Sequence, residues 1–372
     1  MIYVLQKLRS INNGGIEAIV FGSTLKMTDP DIKISYCSDS IPQCPKWENA
    51  AKLSGRSIYS LDRGLSGLRK RFCYISDFYK LCKKEHFDIV HIHMYGAYDA
   101  VYAAAAKLGG AKRVIRHSHF GMGADHSPLK KACNSFFRTF GFMGNDLCAA
   151  CSESANNYMF SKKNAEKCIL LHNGIETGTF GYDETVRQRA RKQMGFDGAF
   201  VIGNVGRLDY QKNQSFLLDI FSELLKLKKD SLLAIAGSGV LEEELKCKAA
   251  ALGIAEKVIF CGNVENTAEL YQAMDCFVFP SHFEGLAIAA IEAQASGLKT
   301  ICSDRISPEE AITDLCSFMP LSASPKEWAE HIISQCTGYE RRNYAGEVRA
   351  AGYDITDTAK QLEKIYLSLA GE

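Results

Sequence analysis

The chain alternates short apolar runs with longer segments in which apolar residues recur every three or four positions. In the second half, FVIGNVGRL (200–208) precedes the amphipathic segment SFLLDIFSELLKLKK (215–229). A short β-branched run ending in a turn predicts a strand, and an apolar period near 3.6 predicts a helix. The alternation continues through LLAIAGSG (232–239), a helix at 241–252, VIFCGNV (258–264), a helix at 267–274, CFVFPS (276–281), a helix from about 286 and KTICSD (299–304).

The first half repeats this order. Residues 2–8 (IYVLQKL) form an apolar run that leads into a Gly-rich loop at 13–15. Two further predicted strands, DIVHIHM (88–94) and RVIRHSHF (113–120), flank an Ala-rich predicted helix at 97–107. Strand, helix and strand at this spacing predict a parallel α/β sheet.

A length of 372 residues favours two domains. The boundary is predicted between Asn173 and Tyr182, where CILLHN gives way to the Gly-rich NGIETGTFGY. Two β–α series predict an α/β fold of two Rossmann-like domains that face each other across a cleft. In such domains ligands bind at the carboxyl ends of the strands, so the candidate chemistry is sought there.

Charge is distributed unevenly although the net charge is only +1. Residues 1–176 hold 24 Lys and Arg against 15 Asp and Glu, an excess of nine positive charges, and the remainder carries an excess of eight negative charges. A near-neutral protein with this division is not a general nucleic-acid binder. The basic half is suited to an anionic membrane or a phosphate-bearing acceptor.

Targeting signals and cysteine spacing exclude other classes. No apolar stretch approaches the roughly 18–20 residues of a membrane span, and the start lacks the pattern of a signal peptide, so we expect a cytoplasmic protein. The 14 cysteines include one C-x-x-C pair, Cys148 and Cys151, with no second pair nearby. A structural zinc site needs four ligands, so reduced cysteines are the better interpretation.

The segment FPSHFEGLAIAAIEAQASG (279–297) carries the strongest signal for chemistry. Glu284 follows a predicted strand, and Glu292 lies eight residues later in a predicted helix. A fully helical connection would separate them by about 12 Å, comparable to the span from a sugar across a diphosphate to a ribose. The helix N-terminus between them would offer N–H groups to phosphates. The alternative is two solvated carboxylates.

A second group of charges follows the preceding strand of the pattern. GRLDYQKN (206–213) places Arg207 and Lys212 in a loop, where a guanidinium and an ammonium can neutralise a diphosphate. The alternative is a pair of ordinary surface charges. The Gly-rich AGSG (236–239) is a weak signal alone because it is also a common tight turn.

These motifs in this order resemble the retaining glycosyltransferases of family 4, which have the GT-B fold. The similar segments are GGIE (14–17), LHNGIE (171–176), GRLDYQKN, AGSG and FPSHFEGL. They extend over nearly the whole chain. RHSHF (116–120) looks most like the branch that assembles capsular polysaccharide or exopolysaccharide.

The resemblance implies roles for four charged side chains. Arg207 and Lys212 match the pair that binds the diphosphate and stabilises the leaving group. Glu284 matches a carboxylate that contacts the donor sugar, and Glu292 matches one that accepts the ribose hydroxyls. Glu284, Arg207 and Lys212 are therefore predicted catalytic residues.

Backbone groups are also implied in donor binding. The amides of Gly285 and Leu286 would hold phosphate or sugar, while Gly14 and Gly15 match an N-terminal loop that closes over the donor. The family organisation makes residues 1–173 the acceptor domain and 174–352 the nucleotide-sugar donor domain. The final segment, 353–372, would cross back to the N-terminal domain.

The histidines leave a choice open. His117 and His119 both lie where the family often has one functional histidine, and we favour His119 because it lies deeper in the loop. A histidine there can donate to a sugar hydroxyl or a main-chain partner. His91 and His93 are predicted to be structural, one on each face of a strand, and His282 to pack in its loop.

The implied reaction transfers a sugar from a nucleoside diphosphate, expected to be UDP, to a glycan or lipid-linked glycan with retention of configuration. The acceptor proton passes to the departing phosphate. No D-x-D stands between short strands as a metal anchor, so no metal or other cofactor is expected. A nucleotide-sugar epimerase and an inactive nucleotide-sugar-binding subunit are the alternatives.

A basic and aromatic segment suggests contact with a membrane. PLKKACNSFFRTFGFM (128–143) contains Lys130, Lys131 and Arg138 among phenylalanines, and residues 63–72 have a similar mixture. Such a helix can lie in a lipid interface at the inner face of the membrane. The alternative is that these aromatics are ordinary core of the N-terminal domain.

Overall fold

The structure is a computed structural model. It describes residues 1–12, 14–64, 67–93, 96, 99–119, 132, 135, 136, 138 and 146–371. The contacts divide the chain into unit 1, Met1–Gly174 with Asp354–Glu372, and unit 2, Ile175–Tyr353. Each unit is built around a parallel sheet.

Unit 1 contains seven strands within the described residues. They are β1 (Ile2–Leu8), β2 (Ile32–Ser38), β3 (Ile58–Ser60), β4 (Ile89–His93), β5 (Arg113–Ser118), β6 (Leu147–Ala150) and β7 (Ile169–Leu170). Their order in the sheet is β3-β2-β1-β4-β5-β6-β7, and all pairs are parallel. The order reverses at β1, as in Rossmann-like sheets, whose ligand sites lie at that switch.

Helices connect these strands, and the last one follows unit 2 in the chain. They are α1 (Gly15–Leu25), α2 (Pro45–Leu53), α3 (Gly67–Glu85), α4 (Asp99–Leu108), α5 (Glu153–Met159), α6 (Lys162–Ala165) and, from the C-terminus, α15 (Ile355–Gly371). Apolar residues of α15, including Leu362, join the core on one face of the sheet with Val4 and Ile89. Alternate residues such as Leu5 and Val90 belong to the core on the other face.

Unit 2 contains six strands, β8 (Phe200–Val205), β9 (Ser231–Ala236), β10 (Val258–Gly262), β11 (Cys276–Phe279), β12 (Lys299–Ser303) and β13 (Cys316–Met319). The order is β10-β9-β8-β11-β12-β13, again parallel. The predicted series of strands in this half is confirmed. The sheet order reverses between β8 and β11, which brings the loops after these two strands next to each other.

The helices of unit 2 are α7 (Thr177–Phe180), α8 (Glu184–Met194), α9 (Gln214–Leu227), α10 (Glu242–Ala251), α11 (Thr267–Ala273), α12 (Ile288–Ala295), α13 (Pro325–Cys336) and α14 (Ala345–Ala350). Short 3-10 turns occupy Tyr210–Lys212, Ala255–Lys257 and Pro308–Glu310. Gly253 and Gly297 follow α10 and α12 with φ of 68–70°, the left-handed conformation that ends helices at glycine.

Among the described residues no helix is both long enough and apolar enough to cross a membrane. No disulfide joins the cysteines of this part of the chain either. Cys148 and Cys151 are both buried, the first within β6 and the second just after it.

Candidate active site

The loops that follow β8 and β9 are packed against each other through glycines. A Cβ on Gly237 would lie 2.0 Å from the carbonyl oxygen of Gly206, and one on Gly239 would lie 2.2 Å from that of Leu208. The amide of Leu208 also donates to the carbonyl of Ser238 at 3.0 Å. The AGSG turn is therefore a close support for the GRLDYQKN loop, and side chains larger than hydrogen cannot be accommodated there.

The GRLDYQKN loop is tied on its other side to the loop after β11. Asn213 Nδ2 donates to the carbonyl of Pro280 at 3.0 Å, and the amide of His282 donates to the carbonyl of Gln211 at 2.8 Å. The rings of Tyr210 and His282 stack with centroids 4.4 Å apart. His282 thus packs in its loop, as predicted, and the two sequence motifs form one connected structure.

Lys212 and Glu284 meet at the centre of this structure. Lys212 Nζ lies 2.8 Å from Glu284 Oε1, and Gln211 Nε2 donates to Glu284 Oε2 at 2.9 Å. Only 17% of the Lys212 side chain and 5% of the Glu284 side chain are exposed. The ammonium also lies 4.6 Å from the centre of the Phe279 ring. The two predicted residues are thus held as one partly buried ion pair.

Arg207 differs from Lys212 in its surroundings. Its side chain is 69% exposed and lies 3.6 Å from Asp209. Asp209 in turn accepts a hydrogen bond from the backbone amide of Lys212, which caps the 3-10 turn that carries the lysine. The guanidinium is therefore accessible at the end of β8, beside the loop that fixes the ammonium.

Glu292 lies on α12 and is partly buried. Its Oε2 accepts a hydrogen bond from the hydroxyl of Tyr271 at 2.9 Å. Burial raises the pKa of Glu292 to about 7, because desolvation disfavours the charged form more than the Tyr271 hydrogen bond supports it. The carboxyl is therefore divided between its charged and neutral forms near neutral pH.

The helix that carries Glu292 begins later than predicted. Helix α12 starts at Ile288 and not at Leu286, so the connection from Glu284 is not fully helical and the 12 Å spacing does not apply to it. Gly285 and Leu286 lie in the non-helical turn between β11 and α12, and Leu286 is buried.

Sequence reasoning missed Glu310 at the entrance to α12. Its Oε1 accepts a hydrogen bond from the backbone amide of Ala287 at 2.8 Å, and its side chain is fully buried. Burial raises the pKa of Glu310 to about 8, with the nearby Glu284 adding to the effect. The available signal was its position after KTICSD, since that loop lies at the carboxyl end of the neighbouring strand β12.

In unit 1, Gly14 and Gly15 lie at the N-terminus of α1, where Gly14 is the N-cap residue. A Cβ on Gly14 would lie 2.4 Å from Glu17 Oε2, whereas one on Gly15 would meet no atom within 4 Å. Glu17 is buried in the first turn of α1 and accepts a hydrogen bond from Ser10 at 3.1 Å. A side chain at position 14 would therefore require the Glu17 carboxylate to move.

Four histidines form a buried cluster in unit 1. His91 and His93 lie on β4, and His117 and His119 lie at the end of β5. The prediction that His91 and His93 point to opposite faces is wrong, because residues two apart in a strand share a face. Their ring centroids are 4.1 Å apart, as are those of His117 and His119, and the two pairs approach within 5.2–5.3 Å.

Burial makes the whole cluster electrically neutral at pH 7. It lowers the pKa of His119 to about 4, and the pKa values of His91, His93 and His117 lie well below their ordinary value because of burial and mutual repulsion. Within the described residues, one ring nitrogen each of His91, His93 and His117 come within 4.8 Å of one another, a grouping that could hold a metal ion. Both nitrogens of His93 already have hydrogen-bond partners, so a metal would have to displace one of them.

His93, His117 and His119 line a cavity in unit 1. Gln6, His172, Asn173 and Thr358 contribute further polar groups, and the remaining wall comes from α1, Leu171 and Leu362. The cavity lies at the carboxyl ends of β1, β4 and β5, where Rossmann-like sheets bind ligands. Both candidate histidines are therefore placed at a ligand-competent edge.

Most of the predicted basic and aromatic segment 128–143 lies outside the described residues. Within it, Phe136 and Arg138 are helical and exposed, Phe136 by 57%. Arg138 Nε donates to the carbonyl of Phe160 at 2.7 Å. Phe72, on α3, is 73% exposed. These two phenylalanines are therefore not part of the core of unit 1.

Two family models match the chain, one in each unit. The family model "Glycosyltransferase Family 4" matches residues 15–179, and the model "Glycosyl transferases group 1" matches residues 186–349. The chain belongs to the family 4 glycosyltransferases and has the two Rossmann-like domains of the GT-B fold.

Individual relatives agree with this membership over the whole chain. EpsF of Bacillus subtilis, named as a glycosyltransferase, is 29% identical over 98% of this chain and 96% of its own length. The capsular polysaccharide biosynthesis glycosyltransferase CapH of Staphylococcus aureus is 24% identical over 99% of both chains. A UDP-Gal:α-D-GlcNAc-diphosphoundecaprenol α-1,3-galactosyltransferase of Escherichia coli is 27% identical over 66% of this chain and 65% of its own.

Among solved structures, HepE of Anabaena in complex with UDP and glucose superposes with a TM-score of 0.80. The match covers 99% of this chain and 100% of HepE at 15% sequence identity. At this identity the match supports the GT-B fold of the chain.

Proposed function

We propose that this glycosyltransferase moves a sugar, with retention of configuration, from a UDP-sugar to a glycan or lipid-linked glycan in the synthesis of a capsular polysaccharide or exopolysaccharide. The observation that carries the proposal is the Lys212–Glu284 ion pair, held by two connected loops at the switch point of the unit 2 sheet. A cation and a carboxylate side by side suit a ligand in which a diphosphate adjoins a sugar.

The donor's charged part is assigned to the cations of the β8 loop. Lys212 and the exposed Arg207 neutralise the diphosphate, and charge that develops on the departing β-phosphate is stabilised by both. Before the donor binds, Glu284 balances Lys212 at 2.8 Å. Once phosphate oxygens approach the ammonium, the carboxylate can accept hydroxyl hydrogens of the donor sugar.

We assign the binding of the ribose and of the sugar end of the donor to residues around α12. Glu292 accepts hydrogen bonds from the ribose hydroxyls, and the amides of Gly285 and Leu286 hold phosphate or sugar. We also assign a donor-binding role to the backbone groups of Gly14 and Gly15 in unit 1. His119 is the residue we assign to a sugar hydroxyl, with His117 as its neighbour in the same cavity.

UDP and a lipid-linked acceptor are supported by relatives. HepE was solved with UDP and glucose, and the name of the Escherichia coli relative gives UDP-Gal as donor and a diphosphoundecaprenol-linked sugar as acceptor. The name of CapH refers to capsular polysaccharide biosynthesis, which supports a polysaccharide product. We assign the same classes of donor and acceptor to this chain.

We propose that transfer needs no metal ion, because Arg207 and Lys212 together supply two positive charges at the diphosphate. Activity should survive EDTA. Complete loss on chelation, with recovery on adding Mn²⁺ or Mg²⁺, would contradict this proposal.

The decisive experiment incubates the protein with a panel of nucleotide sugars and measures nucleotide release with and without undecaprenyl-diphosphate-linked acceptors. Release that depends on acceptor, with the product's anomeric configuration retained by NMR, supports the proposal. Consumption of donor without any acceptor indicates an epimerase, and binding without turnover indicates an inactive subunit.

We also propose that the protein acts at the cytoplasmic face of a membrane. The exposed Phe72 and Phe136, with basic residues nearby in the chain, suit an interface that presents anionic lipid headgroups. Co-sedimentation with anionic vesicles should fall with added salt and in a Phe72→Ser/Phe136→Ser variant. Vesicle binding that does not change in this variant would rule out Phe72 and Phe136 as the membrane-contacting surface.

A further inference from the structure

A chain of hydrogen bonds crosses the buried face of the unit 1 sheet and ends at His119. Gln6 Nε2 donates to the hydroxyl oxygen of Tyr366 at 2.8 Å, and Gln6 Oε1 lies 2.8 Å from His93 Nε2. His93 Nδ1 lies 2.9 Å from His119 Nε2. The four residues come from β1, α15, β4 and the end of β5, and all are buried.

The amide of Gln6 determines which atom donates at each later step. The lone pair of an amide nitrogen is delocalised and cannot accept a hydrogen bond, so the nitrogen donates to Tyr366 and the amide oxygen accepts from His93 Nε2–H. A neutral imidazole protonated at Nε2 keeps a lone pair at Nδ1, so His93 accepts from His119 Nε2–H. The Tyr366 hydroxyl then donates its own proton in a hydrogen bond to His91 Nδ1, 2.7 Å away.

The end of the chain is left with an acceptor. His119 Nδ1 carries a lone pair in this arrangement. No described residue lies within ordinary hydrogen-bonding distance of it, although the side chain is only 6% exposed and the Asn173 side chain lies beside the ring. A buried acceptor without a partner is destabilising, and a ligand hydroxyl would satisfy it. His119 lines the unit 1 cavity, which has room beside the ring for a group of about the size of one hydroxyl.

We propose that Tyr366, Gln6 and His93 are positioning residues that hold His119 in the tautomer whose Nδ1 accepts a hydrogen bond from a sugar hydroxyl. This inference rests on the proposed function, because that function assigns His119 to a sugar. It also changes the chemistry expected from the sequence: His119 acts on the hydroxyl as an acceptor, since its donor is already used by His93.

The tautomer can be measured directly in the full-length protein labelled with ¹⁵N-histidine. Ring ¹⁵N shifts should show His119 protonated at Nε2 with a bare Nδ1. Gln6→Leu removes the acceptor for His93 and should give mixed tautomers at His119, and Tyr366→Phe should do the same by freeing the amide to turn. Gln6→Glu keeps an acceptor opposite His93 and should preserve the wild-type pattern.

Tyr36→Phe is the matched control for Tyr366→Phe. Tyr36 is another fully buried tyrosine of unit 1, but its hydroxyl bonds to Thr24 and Arg56 and not to the histidines. This variant should leave the His119 tautomer unchanged. A change in this control equal to that in Tyr366→Phe would overturn the proposal, because the tautomer would then report general loosening of unit 1.

Kinetics connect the tautomer to the reaction. Gln6→Leu and Tyr366→Phe should lower kcat/KM about tenfold, the equivalent of one hydrogen bond, while Tyr36→Phe changes it less than twofold. A rise in KM for the nucleotide sugar alone identifies a donor hydroxyl as the partner of His119, and a rise for the acceptor alone identifies an acceptor hydroxyl.

Two results would overturn the inference. One is a wild-type His119 protonated at Nδ1, which corresponds to the opposite orientation of the Gln6 amide. The other is a tautomer that shifts in the variants while His119→Ala keeps full activity. In that case the proposed role of His119 fails although the enzyme remains a glycosyltransferase, so the two failures are distinguishable.

Discussion

At the scale of single residues, the Lys212–Glu284 pair decides how the donor is received. Lys212→Ala should lower turnover about 30- to 10³-fold, because an ammonium on the leaving phosphate contributes roughly 2–4 kcal/mol to the transition state. Initial rates and calorimetry with UDP measure the effect. Lys248→Ala is the control, since Lys248 is also ion-paired in unit 2, with Asp219 at 2.6 Å, but on α9 and α10. Unchanged UDP affinity and rate in Lys212→Ala would remove this residue from the site.

Glu292 predicts a pH dependence of donor binding. Its pKa is raised to about 7, and the carboxylate form accepts hydroxyl hydrogens with both oxygens. If the ionised form binds, the affinity for a UDP-sugar should rise about tenfold between pH 6 and 8. Glu292→Gln should bind more weakly and lose this pH dependence, while Glu256→Gln, at an exposed position in unit 2, should retain it. A pH profile identical in wild type and Glu292→Gln would contradict the assignment.

At the scale of secondary-structure elements, Glu310 supports the turn that leads into α12. The neutral carboxyl is favoured at pH 7 because burial raises its pKa to about 8, so an amide is a close substitute. The free energy of unfolding of Glu310→Gln should lie within about 1 kcal/mol of the wild-type value. Glu310→Ala leaves the Ala287 amide without its hydrogen-bond acceptor and should lower the free energy of unfolding by roughly 1–3 kcal/mol. Urea denaturation of both variants tests this. Equal losses would show that the hydrogen bond to Ala287 contributes nothing.

The contact between the β8 and β9 loops makes Gly237 sensitive to a single methyl group. Gly237→Ala would place Cβ 2.0 Å from Gly206 O at a φ of +131°, so the loops must separate. We expect a loss of more than about 2 kcal/mol in stability and weaker donor binding. Gly253→Ala is matched in its positive φ of +70° but meets no atom within 4 Å, so it should cost about 1 kcal/mol and leave donor binding unchanged. Similar effects of both variants would refute the argument.

At the scale of the whole molecule, the two units should respond to pH in opposite directions. Burial lowers the pKa of the unit 1 histidines, so below about pH 6.5 the unfolded chain binds more protons and unit 1 loses stability as pH falls. The pKa values of Glu292 and Glu310 are raised, so their stabilisation of unit 2 is complete below about pH 4.5 and is lost as pH rises to about 8.

Hydrogen exchange between pH 5 and 8, resolved by unit, measures this difference. On acidification from pH 6.5 to 5.5, unit 1 should lose on the order of 1 kcal/mol per histidine, while unit 2 gains. A Glu292→Gln/Glu310→Gln double variant should flatten the response of unit 2 only. Parallel responses of both units in the wild type would contradict the prediction.

The sequence by itself determined the parallel strands, the helices between them and the loops that carry the chemistry. Periods of two and of 3.6 residues reflect local burial, so a strand such as β8 and its loop with Arg207 and Lys212 can be found from nearby residues alone. The shared face of His91 and His93 follows from the same rule, because side chains two residues apart in a strand point to the same side.

Only the tertiary structure decided which side chains meet. Lys212 and Glu284 are 72 residues apart, and Gln6 and Tyr366 are 360 apart. Glu310 reaches Ala287 from the next strand's loop, and α12 begins two residues late because that turn is held by a side chain. Such contacts depend on strand order and on where the C-terminal helix packs, which local periodicity does not encode because burial of apolar residues is non-directional.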